Sequence, residues 1–168
     1  WIIDFFKNRF DENYGWTQEG LHVLQKDRVT FAERHVPYWA EVRKQAERIY
    51  GRETIAGVDY TLTEVVHCKS RGREGVKSAA KKCSKKWLEP IIGLSPAKVL
   101  LVLGDEAGQM TGKFLGLDES RISHRYLDYD GSNRWILFVP APGSNKPRKI
   151  DEIISEEELL ELRDWINS

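Results

Sequence analysis

The chain has 168 residues, 40% of them hydrophobic and 31% charged, enough for one packed core and too apolar for a disordered tract. Its 26 basic and 26 acidic residues leave zero formal charge, which excludes a uniformly basic nucleic-acid binder but not a local patch. No apolar run reaches the ~20 residues of a membrane span and no signal peptide is visible, so the expectation is a monomeric cytoplasmic protein with no membrane partner.

In chain order, the first 35 residues are aromatic-rich and without a clear period. Residues 1–57 are expected to be mainly helical or irregular, and residues 58–168 to form the α/β portion of a single domain. From the opening at Trp1 rather than Met, the expectation is an N-terminally trimmed chain or a fragment. "PYWAEVRKQAERIYG" predicts an amphipathic helix, with Pro37 in its first turn and Gly51 as its stop. "YTLTEVVHC", residues 60–68, is β-branched and predicts a strand. "VKSAAKKCSKKWLEPII" has helical composition, with Pro90 expected to kink or end it. "KVLLVLG" at 98–104 is a continuous apolar run, as in a strand buried on both faces. "DEAGQMTGKFLG" follows as a helix with Asp105 and Glu106 near its positive end. "DYDGSN" at 128–133 predicts a turn between a strand and a helix, and "RWILFVP" at 134–140 another buried strand. In "SEEELLELRDWI", Ser155 and Glu158 make a capping box. Leu159, Leu162 and Ile166 trace an apolar stripe that Leu160 and Trp165 widen.

The charge is unevenly placed. Residues 69–86 hold Lys69, Arg71, Arg73, Lys77, Lys81, Lys82, Lys85 and Lys86 against Glu74 alone, and Lys146, Arg148 and Lys149 form a second basic segment. The C-terminal helix is acidic. A solvated helix face and a polyanion-binding surface both account for the first segment. Alternating strands and helices imply an α/β layered fold with parallel pairing, and in such sheets ligands sit beyond the carboxyl ends of the strands. Those ends are "HCKSRGREG", "GDEAG" and "PAPGSNKPRK", two of them the basic segments, which favours the polyanion reading.

Residues 60–107 resemble the second half of the uracil-DNA glycosylase superfamily. Thr63–Cys68 correspond to its T-N-V-V-K-C strand, Cys83 to a second helical cysteine, and Ser95–Ala107 to its P-K-V-apolar-L-G-x-x-A segment. "FVPAPGSNK" aligns by order with its strand-terminal His-Pro loop. The resemblance covers residues 60 to about 150. It implies a three-layer α/β/α domain with a short central, mostly parallel sheet. It also implies a base-excision-repair hydrolase that flips a damaged or deaminated base out of DNA and cleaves its N-glycosidic bond. Glu64 stands where the family's base-reading asparagine falls. Lys69, Arg71, Arg73, Ser144, Asn145, Lys146 and Arg148 would hold the DNA, the cations by phosphate contact without sequence readout.

The departures from the family bear on chemistry. No Gly-rich, water-positioning loop is found upstream of residue 60. An ionised Glu64 accepts hydrogen bonds but donates none, so it does not match uracil O4. The catalytic histidine's place is taken by Ala141, which removes a donor worth about 2.7–4 kcal/mol at such sites. His67 is read as a strand-end or surface residue, and His124 has no assigned role. Cys68 and Cys83 resemble half of the four-cysteine iron–sulfur set of some relatives, which is complete only if further cysteines lie upstream of Trp1. Otherwise they are small buried apolar side chains. Trp16, Trp39, Trp87 and Trp135 are read as core. The expected function is DNA base excision. The alternatives are an inactive DNA-binding module of the same fold and a basic-edged protein-interaction domain.

Overall fold

The computed structural model describes residues 17–18, 21–27, 29–65, 74–118, 120–127, 133–142 and 149–168. Its chain separates into two units, Trp1–Leu62 with Lys149–Asp151, and Thr63–Arg148 with Glu152–Ser168.

In the first unit, β1 (Thr17–Gln18) and β2 (His22–Val23) pair antiparallel. An isolated Leu24–Phe31 bridge follows. The ladder continues through Ala32 N–H to Val23 O at 2.9 Å and Val36 N–H to Leu21 O at 2.8 Å. Before residue 37 the described chain is irregular apart from these short paired stretches. Helix α1 (Pro37–Tyr50) starts at a proline whose missing N–H costs nothing there. It ends at Gly51, whose φ of 70° suits glycine and whose N–H reaches Glu47 O at 2.8 Å. Val42, Gln45, Ala46 and Ile49 are its buried stripe. Buried Gln45 uses Oε1 to accept the Ile150 N–H at 2.9 Å, and Arg48 Nε lies 3.3 Å from Asp151 Oδ1. Beyond α1, Asp59 gathers the chain. Its carboxylate accepts from Arg52 at 2.7 and 3.1 Å and from Ile55 N–H at 2.7 Å.

The strand expected at 60–68 is not a strand where it is described. Tyr60 makes one isolated bridge to Ala56, and residues 61–65 join no ladder; residues 66–68 lie outside the described residues. Thr61, Thr63 and Glu64 are exposed. Strand preference reflects a fit to a half-buried pleated surface, so β-branched composition alone does not make a strand.

In the second unit, α2 (Val76–Cys83) runs on through a π-helical turn (Ser84–Leu88) into α3 (Glu89–Leu94). Pro90 does not end this helix. It falls in the first turn of α3, directly after the π turn. A proline has no N–H for the carbonyl four residues back and crowds it, and the looser i→i+5 register relieves that conflict locally.

The sheet contains β3 (Val99–Leu103), β4 (Ser123–Leu127) and β5 (Asn133–Val139) in the order β3-β5-β4. β3 runs parallel to β5, with Val99 opposite Trp135 and Leu103 opposite Val139. β4 runs antiparallel to β5, with Ser123 opposite Leu137. The class is mixed α/β and the sheet is mixed rather than mostly parallel, because β4, which the sequence reading did not include, joins β5 antiparallel. The central strand is the core: Ile136 and Leu137 are wholly buried and Trp135 nearly so, as a strand covered on both faces requires. "DYDGSN" therefore connects two antiparallel strands, not a strand and a helix; residues 128–132 lie outside the described residues.

Helix α4 (Asp105–Leu115) buries Gly108, Thr111 and Gly112. After the short α5 (Ile150–Ile153), α6 (Glu156–Asn167) closes the chain. Ser155 Oγ accepts the Glu158 N–H at 3.2 Å, as the capping box predicted. Leu159 and Leu162 are buried and Leu160 is exposed, so the apolar stripe is narrower than the sequence suggested. Lys98 Nζ caps the far end of α6, donating to the Trp165 and Ile166 carbonyls.

Candidate nucleic-acid interface

Parallel pairing sends the chain out of β3 and β5 at the same end of the sheet. Gly104 N–H donates to Val139 O at 2.8 Å, one step beyond the ladder. At Gly104, φ is +95° and ψ 151°, a region that only glycine occupies readily. A Cβ there would lie 3.2 Å from the Ala141 Cβ. The chain at Gly104 is thus held against half-buried Ala141, between half-buried Pro140 and Pro142.

The approach to the first basic segment reaches the same end. Gly75, Lys77 and Ser78 at the start of α2 line a depression of about 520 Å³ together with Glu106 of α4. Glu106 follows Gly104 by two residues. Described flanks of all three predicted loops therefore gather at the carboxyl edge of the sheet. Lys69, Arg71, Arg73, Ser144, Asn145, Lys146 and Arg148, with His67 and Cys68, lie outside the described residues.

From this edge a basic face runs along the helix. Lys77, Lys81 and Lys85 fall in one row at i, i+4 spacing and Lys82 and Lys86 in the next, all five exposed. Ala80, Cys83, Ser84 and Leu88 face inward. None of the five ammonium groups pairs with a described carboxylate. Lys86 Nζ stands 4.9 Å from the Trp87 ring centroid and rests on an aromatic face. Like charges at i, i+4 oppose helix formation by about 0.2–0.5 kcal/mol a pair, so this face carries a small cost in helix stability.

The remaining candidates are placed as follows. Glu64 is exposed and outside any strand. Cys83 is buried on the inward side of α2. Among the described residues no group of three or more His, Cys, Asp or Glu is disposed to hold a metal ion. His124 Nε2 lies 2.7 Å from the Asp118 carbonyl and 3.1 Å from that of Arg121, and its ring meets Phe138 edge-on. Two carbonyl acceptors require a proton on Nε2, so this imidazole pins the turn before β4. Ser120 hydroxyl and amide donors hold the Asp118 carboxyl below its usual range. Trp135 is core, its Nε1 donating to Ser123 Oγ at 2.7 Å, while Trp39 and Trp87 are half-buried.

Sequence reasoning missed the contact between Gly104 and Ala141 and the place of Glu106 beside Lys77. The signal for the first was the glycine that ends the apolar run; nothing local signalled the second. No protein-family model, curated protein or solved structure matches this chain. No helix among the described residues is long and apolar enough to cross a membrane.

Proposed function

We propose that this chain is a DNA-binding α/β domain that grips the phosphate backbone with the lysine face of α2 and the carboxyl edge of its sheet. The observation that carries the reading is the row of exposed lysines on α2, none in an ion pair with a described carboxylate, which begins at the depression that Lys77 shares with Glu106. DNA is favoured over other polyanions by the resemblance of residues 60–150 to the uracil-DNA glycosylase superfamily. Phosphate contacts of this kind position a protein without reading sequence.

Base excision is the second reading, favoured by the juxtaposition of the Gly104 and Ala141 turns, where that family builds its base pocket. Ala141 contributes no hydrogen-bond donor, so excision would proceed without this contribution to charge stabilisation on the leaving base.

One experiment addresses both. A uracil-containing duplex is incubated with the protein, then read for a mobility shift and for strand cleavage at abasic sites. The expected result is a salt-sensitive shift, with log Kd changing by about 4–5 per decade of salt if five phosphates are neutralised. Absence of a shift at low salt overturns the DNA reading. Cleavage above a protein-free control supports excision, and a shift without cleavage rejects it.

A further inference from the structure

We propose that His22 and His35 form a two-imidazole site for a divalent transition-metal ion of the zinc–copper class. The site is separate from the DNA-binding reading and shares no residue with it.

Thirteen positions apart in sequence, the two histidines are brought together by backbone pairing. Val36 N–H donates to Leu21 O at 2.8 Å, and Ala32 N–H donates to Val23 O at 2.9 Å. His22 and His35 each neighbour one end of the Leu21–Val36 bond. Their ring centroids are 6.3 Å apart, with planes at 78°.

One nitrogen of the His22 ring is held by the backbone. Its Nδ1 lies 2.8 Å from the Ala32 carbonyl oxygen. A carbonyl only accepts, so Nδ1 is the donor, and Nε2 is the nitrogen that offers a lone pair in the neutral ring. Metal-bound histidines recurrently use this arrangement, in which the second nitrogen donates to a carbonyl and fixes both tautomer and ring direction. Two imidazoles sharing a tetrahedral ion at Zn–N distances of about 2.0–2.1 Å would have centroids about 5 Å apart. His35 is exposed, so a side-chain rotation closes the remaining gap of about 1 Å without moving the hydrogen-bonded backbone. Imidazole nitrogens select zinc, copper and nickel over calcium and magnesium. Among the described residues no third His, Cys, Asp or Glu completes the group, so the two imidazoles are the ligands that these residues supply.

The test is a zinc(II) titration of the full chain with the histidine ring nitrogens observed by ¹⁵N NMR. This resolves the pair from the cysteine thiols and the other histidines. The expected result is that the His22 and His35 nitrogens respond together along one saturating curve, while His124 is unmoved. His35→Ala, at an exposed position, is expected to weaken the His22 response at least tenfold. The proposal is overturned if neither ring responds up to millimolar zinc, or if the His22 response is unchanged in His35→Ala.

Discussion

At the residue scale, two positions at the carboxyl edge are decisive. Gly104 combines a φ of +95° with a virtual Cβ 3.2 Å from Ala141. Gly104→Ala is therefore expected to cost about 1–3 kcal/mol, the range for a residue held in such a conformation. Denaturant midpoints check this, and a change below a few tenths would contradict the strained geometry. Ala141 is the place where the glycosylase resemblance puts a histidine. Oxyanion-type donors are worth about 10²–10³ in rate, so Ala141→His is expected to raise any uracil release by up to that factor. Single-turnover excision on a uracil duplex measures it; no change would contradict the histidine position that the resemblance assigns to Ala141. Ala141 stood out from the family resemblance, but Gly104 did not. A glycine after an apolar run and an alanine between prolines become a pair only when β3 and β5 lie side by side.

At the element scale, the helix from Val76 to Leu94 carries the functional argument. Its lysines were legible one by one, and their spacing placed them in rows. The continuity of the helix was not legible, because Pro90 alone predicts a break and the π turn that accommodates it depends on packing. Replacing Lys81 and Lys85 together with glutamine is expected to weaken DNA binding about uniformly across sequences. The salt slope should fall by about 2, as followed by fluorescence anisotropy at several ionic strengths. A weaker complex with an unchanged slope would mean that these side chains do not meet phosphates. The sheet is instructive in another way. The strands β3 and β5 were evident as unbroken apolar runs. Strand β4 was hidden because His124, with its ring on Phe138 and Nε2 on backbone carbonyls, makes the segment look polar. The "DG" pair before β5 was the available hairpin signal.

At the scale of the whole molecule, the chain leaves its second unit at Lys149 and re-enters it at Glu152. Gln45 and Arg48 hold that short return within the first unit. The first unit also depends on Asp59, whose carboxyl is held below its usual value chiefly by Arg52 and further by the Ile55 amide. A depressed carboxylate binds fewer protons folded than unfolded, so its contribution is complete above about pH 5 and is lost as pH falls through the depressed value. Asp59→Asn is expected to cost about 1 kcal/mol at neutral pH. The exposed Arg52 contact supplies only part of that. Stability of the variant should also depend less steeply on pH below about 4. Urea unfolding at several pH values checks both. Parallel curves for variant and parent would show that Asp59 does not supply the acid limb.

By itself the amino-acid sequence determined the helices at 37–50 and 156–167, the two apolar strands and the concentration of positive charge. Each is written in a local period, a cap or a run of like residues. The tertiary structure decided that residues 60–65 are not a strand, that β4 completes a mixed sheet, and that Gly104, Ala141 and Glu106 lie at the same edge as the start of the lysine face. It also decided that His22 and His35 adjoin. These are pairings between distant segments, and their free energy comes from partners that no local window contains.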